Sequence, residues 1–167
     1  MNTLTVSPGV DARNWLARAP WVAIVGFGGA LADLGVAALY WSQFQVEAIR
    51  IPQSIAAWII GRDAFNGGVA TALLGMLFYG GLVCAVCALY RAAARHCTPL
   101  LRHPFLYGAL YGVLAYCVIF WIIAPLLTGD GGSTKPEWLG LCVATYILAI
   151  GIPAALAARA TLAGSRD

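Results

Sequence analysis

Residues 26–41 read GFGGALADLGVAALYW. Asp33 is the only ionisable carboxylate in the stretch. With its flank it extends over Trp21–Trp41, long enough to cross roughly 30 Å of hydrocarbon as a helix. A run of this kind is either a membrane span or a helix buried in a large soluble core. Composition decides between them. The chain has 167 residues, 61% hydrophobic and only 10% charged, against about 25% charged in ordinary soluble domains. A soluble chain this short has too little interior to hide so much apolar surface.

Three further runs have the required length: Gly67–Tyr90, Phe105–Thr128 and Trp138–Ala158, all without Asp, Glu, Lys, Arg or His. Isolated strands cannot satisfy their backbone in lipid. The strict alternation of a barrel is absent. The expected fold class is therefore all-α, an integral membrane four-helix bundle forming one domain over residues 1–167. Its spans are about 21–41, 67–90, 105–128 and 138–158.

Basic residues near span ends predict orientation. Arg13, Arg18, Arg91, Arg95, Arg102, Arg159 and Arg166 fall on one side; Arg50, Arg62 and Lys135 fall on the other. Seven against three places both termini and the middle loop in the cytoplasm, the expected site being a bacterial inner membrane. The first run exceeds the ~7–15 residues of a signal-peptide core, so it is expected to be retained. Trp15 and Trp21 at one end, with Tyr40, Trp41 and Trp138 at the other, suit the two interfaces. The second outward loop, GDGGSTKPE, reads as a flexible turn.

The segment QVEAIRIPQSIAAWIIGRDAFN, residues 45–66, is too short for a span and too apolar for a polar loop. Ile51, Ile55, Trp58 and Ile59 recur at helical spacing. Pro52 suits a first turn and Gly61 a stop. A short amphipathic helix near 51–60 is expected between spans one and two. Gln53 and Arg62 would lie on its polar face, with Arg50 near its start. It would rest on the headgroups or cover the bundle mouth.

Small residues let membrane helices approach closely. In the first span Gly26, Gly29, Ala30, Asp33 and Ala37 share one helical face. Gly75 offers a similar site in the second span, Gly108 and Gly112 in the third, and Gly140, Ala144 and Gly151 in the fourth. Pro153 removes the hydrogen bond to the Ala149 carbonyl and predicts a kink.

Asp33 thus lies on the packing face near mid-depth, twelve residues after Trp21 and eight before Trp41. A charge there costs about 2.5–3.5 kcal/mol, and no basic residue occurs within a span. The expected form is a carboxyl group that keeps its proton and donates to a hydroxyl. Thr71, Tyr79, Tyr107, Tyr111, Tyr116, Thr145 and Tyr146 are available, with Thr71, Tyr79 and Tyr111 the leading candidates. Two roles fit: a tie between helices, or a site that handles protons or a ligand.

Other signals are weak. Cys84 and Cys87 match C-x-x-C but sit inside a span, away from the exposed helix start that stabilises a thiolate. Both read as small apolar fillers. His96 and His103 flank the basic middle loop as solvated residues, outside any span. No metal ligand set, cofactor motif or catalytic constellation is evident, and Asp130 and Glu137 are lone loop charges. A net charge of +3 is too small and dispersed for nucleic-acid binding.

Two stretches, PQSIAAWIIGRDAFNGGVATALLG (52–75) and RHPFLYGALYGVLAYCVI (102–119), together with Asp33 in ADLGVAALY, carry a resemblance. The chain resembles a family of small bacterial inner-membrane proteins akin to the YagU-like group, over roughly residues 20–126. The resemblance implies a four-helix membrane protein and no particular activity. Tyr79 stands where that group often has histidine, which departs from any shared aspartate–histidine site. The function expected overall is a non-catalytic structural or interaction subunit, with the lipid bilayer and partner membrane subunits or further copies of the chain as partners. The alternative is a small transport or ligand-binding module built on Asp33.

Overall fold

The computed structural model describes residues 8–129 and 134–163. The fold is all-helical, with no strand among the described residues. Four helices are long and apolar enough to cross a membrane: Pro20–Ser42, Gly68–His96, Pro104–Thr128 and Pro136–Leu162. They are called spans one to four below. The first helix itself begins at Pro8. Between spans one and two lies a short helix, Arg50–Ile60, followed by a 3₁₀ segment, Gly61–Asn66. Gly61 ends the short helix with a φ of 70°, a conformation that costs glycine little. Most of the expected turn at 129–137 lies in or beside residues 130–133, Asp130 included, which are outside the described residues.

Span two runs beyond its expected end. The sequence CALYRAAARH, residues 87–96, continues as helix to His96. Alanine and arginine favour helix, and the basic Arg95 and His96 complement the negative end of the helix dipole. The expected basic loop shrinks to Cys97 and a one-turn helix, Thr98–Arg102. Arg91 is consequently a helix residue only 6% exposed, where the sequence suggested a solvated loop position.

Spans three and four each contain a π-helical turn, at Val118–Ile123 and Tyr146–Gly151. Pro125 and Pro153 follow these turns by two residues. A proline offers no N–H, and its ring crowds the carbonyl four residues back. The wider turn makes room, with Ala124 N–H donating to the Ile119 carbonyl and Ile152 N–H to that of Ile147. The kink signal at Pro153 therefore resolves as a widened turn.

The bundle is polar-aromatic and small inside, bulky and aliphatic outside. Tyr79, Tyr90 and Tyr146 are among the largest fully buried side chains, surrounded by buried alanines. Leu31, Leu39, Leu77, Leu110, Leu126 and Leu148 are each more than half exposed. Water would penalise that outer surface; hydrocarbon does not.

Glycines set how closely the spans approach. A side chain on Gly26 would stand 2.8 Å from the Cys84 Cα of span two, and one on Gly29 would stand 2.7 Å from the Ala149 carbonyl of span four. Gly108 and Gly112 meet span four at Gly151 and Tyr146, and Gly75 meets the backbone of Pro52 and Ala56 in the short helix. Gly140, by contrast, is exposed and faces open space.

Gly112→Leu should therefore lower unfolding stability in detergent by about 1–3 kcal/mol, the usual cost of overpacking. Gly140→Leu should change it by less than about 0.5 kcal/mol. Thermal unfolding followed by circular dichroism tests the pair. Equal losses would show that close approach of spans three and four does not limit the packing.

Candidate functional site

The glycine face of span one carries Asp33 into the bundle between spans two and four. Tyr79, on span two, donates its hydroxyl hydrogen to Asp33 Oδ2 at 2.5 Å. The Tyr79 and Tyr146 hydroxyl oxygens lie 2.6 Å apart. A phenol has one hydrogen to give. With Tyr79 donating to Asp33, Tyr146 donates to Tyr79, and each hydroxyl hydrogen in the chain has an acceptor. Asp33 Oδ2 stands in this chain as acceptor. Three spans are thus joined by two hydrogen bonds at one point.

The surroundings of this chain are aromatic. Both phenol rings are fully buried and Asp33 is partly exposed. Tyr116 packs edge-on against Tyr146 with centroids 5.6 Å apart, and Phe120 does the same at 5.9 Å. The position of Tyr146 follows from the local backbone. It opens the π turn, and its own carbonyl is the group that meets Gly112. Tyr146 was one of several hydroxyls visible in the sequence. Its partnership with Tyr79 depends on the register of spans two and four, which no local pattern encodes.

The other polar candidates lie apart from Asp33. Thr71 donates to the Ala64 carbonyl at 2.6 Å. Gln53 donates to the Gly68 carbonyl at 3.0 Å and toward Thr71 Oγ1 at 3.4 Å. Gln53 is only 3% exposed. Amphipathic periodicity put it on the solvent face; instead it turns inward and reaches the Gly68 carbonyl at the start of span two. Together these residues pin the short helix and the 3₁₀ segment to span two. Ile59, expected on the apolar packing face, is 51% exposed.

Tyr111 donates to the Val86 carbonyl at 2.7 Å and packs edge-on against Tyr90, tying span three to span two. Arg50 and Arg62 are both exposed; Arg50 lies on the face of the short helix turned toward spans three and four, and Arg62 lies in the 3₁₀ segment. Cys84 abuts Gly26, and Cys87 is buried. Among the described residues no group of three or more His, Cys, Asp or Glu side chains is arranged to hold a metal ion. No family model, no curated protein and no solved structure matches this chain.

The order of donation ranks three substitutions. Tyr79→Phe strips a partner from both Asp33 and Tyr146, and should cost about 1–3 kcal/mol for each buried group left unpaired. Tyr146→Phe leaves the Tyr79–Asp33 bond in place and should cost less. Asp33→Asn keeps an acceptor and should be the mildest. Chemical or thermal unfolding in one detergent gives the order. A Tyr146→Phe loss equal to that of Tyr79→Phe would contradict the chain as described.

Proposed function

We propose that the chain is a non-catalytic, multi-pass subunit of the bacterial cytoplasmic membrane, with both termini cytoplasmic, that holds a partner helix or a second copy of itself. The resemblance to the YagU-like group belongs to the same reading. The carrying observation is where glycine remains unused. Gly26, Gly29, Gly75, Gly108 and Gly112 are consumed inside the bundle, so they are unavailable to a partner. Gly28 and Gly35 on span one, and Gly81 on span two, are exposed with open space around their Cα atoms.

Toward one end of the bundle, spans one and two enclose a groove of about 330 Å³ with Ala23, Ala85, Ala88 and Ala92 in its walls, together with Arg91 and Arg95. Small residues on a lipid-facing surface suit the close crossing of another helix, where packing and not water drives association. Asp33 supports the same reading, because its hydrogen bond is spent within the bundle.

The transport reading draws on one feature, the continuous chain from Tyr146 through Tyr79 to Asp33. Such a chain is a route along which a proton can shift. Asp33→Asn separates the two readings: in a structural tie it leaves the phenotype unchanged, and in a proton site it removes flux while folding is preserved.

Native mass measurement of the chain extracted in mild detergent should give a complex heavier than the monomer. Gly28→Leu with Gly81→Leu should release the monomer without lowering its thermal stability. A wild-type chain that runs as a bare monomer, with no bound polypeptide, overturns the proposal. A reporter fused to the C-terminus tests orientation independently; phosphatase activity outside the cytoplasm would reverse it.

A further inference from the structure

A cavity of about 570 Å³ opens between the short helix and the adjoining ends of spans one, three and four. Its volume falls within the ~300–1,000 Å³ range of small-molecule sites. The short helix builds one wall. Arg50, Ser54 and Trp58 line the cavity at i, i+4 and i+8, one face of a helix. The opposite face, with Gln53 and Ala56, is fastened to span two, so the cavity wall is held in place from behind.

The remaining lining is largely aromatic and apolar, with Trp41, Trp121 and Trp138 from spans one, three and four. The Trp58 ring meets Phe120 edge-on at 5.9 Å, which joins the short helix to span three. Among the described residues that line this cavity, Arg50 is the single charged one. Glu47, one turn before it, is exposed and does not line the space. A second cation stands nearby: Lys135 Nζ lies 3.9 Å from the Phe44 ring centroid and 5.5 Å from that of Trp41.

We infer that this cavity binds a single-chain anionic amphiphile of fatty-carboxylate chemistry, its chain among the tryptophan rings and its head on Arg50. Each part of that ligand answers a part of the lining. Indole faces and edges bury an alkyl chain over a large area. A guanidinium presents two parallel N–H donors that match the two oxygens of a carboxylate. Ser54, one turn along on the same wall, gives its hydroxyl hydrogen to the Ile51 carbonyl at 2.7 Å, so the head rests on Arg50 alone. A neutral ligand would leave the one charged group of the lining without a counterpart, and a cation would be repelled. The volume suits a single alkyl chain. The inference is independent of the partner helix proposed above, because the two surfaces share no residue: span one meets the groove at Val22 and Ala23 and the cavity at Trp41, near its other end.

The test uses the full-length chain in nanodiscs of phosphatidylcholine, titrated with 9,10-dibromostearate. Bromine quenches nearby indole, so occupancy appears as saturable loss of tryptophan fluorescence. Arg50→Ala should weaken that saturable binding by about tenfold, the worth of one charge-assisted hydrogen bond. On the wild-type chain the methyl ester of the probe should show the same weakening. Ser54→Phe, which fills the cavity, should abolish the saturable component, with helical content checked by circular dichroism for both variants. Quenching that rises linearly and is unchanged in both variants would mean contact with bulk lipid only, and overturns the inference. So would equal binding of acid and ester, or equal saturable quenching when the bromine is carried by phosphatidylcholine itself.

Discussion

The bare Cα of Gly29 against the Ala149 carbonyl is the contact on which the rest of the bundle depends. Any side chain there would stand 2.7 Å from the oxygen, so spans one and four would have to separate. That carbonyl lies four residues before Pro153 and cannot be served by the proline nitrogen. One local defect in span four therefore presents an acceptor surface, and one glycine in span one lets the neighbouring backbone reach it. Asp33 lies one turn beyond Gly29, and Tyr146 lies three residues before Ala149. The spacing set at the glycine thus governs whether the carboxylate and the two phenols can meet.

A second consequence concerns what a membrane protein uses its interior for. In water, burial of leucine and phenylalanine drives collapse. Here those residues are largely outside, and the interior holds tyrosine, alanine and glycine. Without water, a hydroxyl or backbone carbonyl left alone is costly. Tyr79, Tyr90 and Tyr111 each end on a carboxylate or a carbonyl of another helix or loop. Glycine permits proximity and tyrosine makes it specific, because a phenol must find one acceptor at one distance.

The spans were legible in the sequence because each is a long apolar run, a property that needs no knowledge of neighbours. The placement of Asp33 on a packing face was legible for the same reason: helical periodicity alone puts it with Gly26, Gly29 and Ala30. Its attachment to Tyr79 was one option among several hydroxyls, since the vertical register of two helices is not written locally. The face of the short helix was misread. Periodicity sorts residues by polarity and assumes that polar means outward, but Gln53 donates inward to the Gly68 carbonyl at the start of span two. A mouth covered by the short helix was one of two expectations, but the lining of the cavity was not legible, because its wall is assembled from four distant parts of the chain. Pro125 and its π turn also gave no signal distinct from an ordinary proline near a helix end.

Asp33 also has a history within each synthesised molecule. Its phenol partner lies 46 residues further along the chain, and Tyr146 a further 67. At about 5–20 residues per second, the first span waits roughly 2–9 s before Tyr79 has even been polymerised. During that interval the carboxylate must be tolerated in the translocon or at its lateral exit without its native partner. The first span has a mean hydropathy of 2.0 with Asp33 included, so its apolar residues offset a penalty of about 2.5–3.5 kcal/mol and let the helix enter the bilayer. The first span is thus committed to the membrane on hydrophobicity alone, and the polar tie is completed only when the last span arrives.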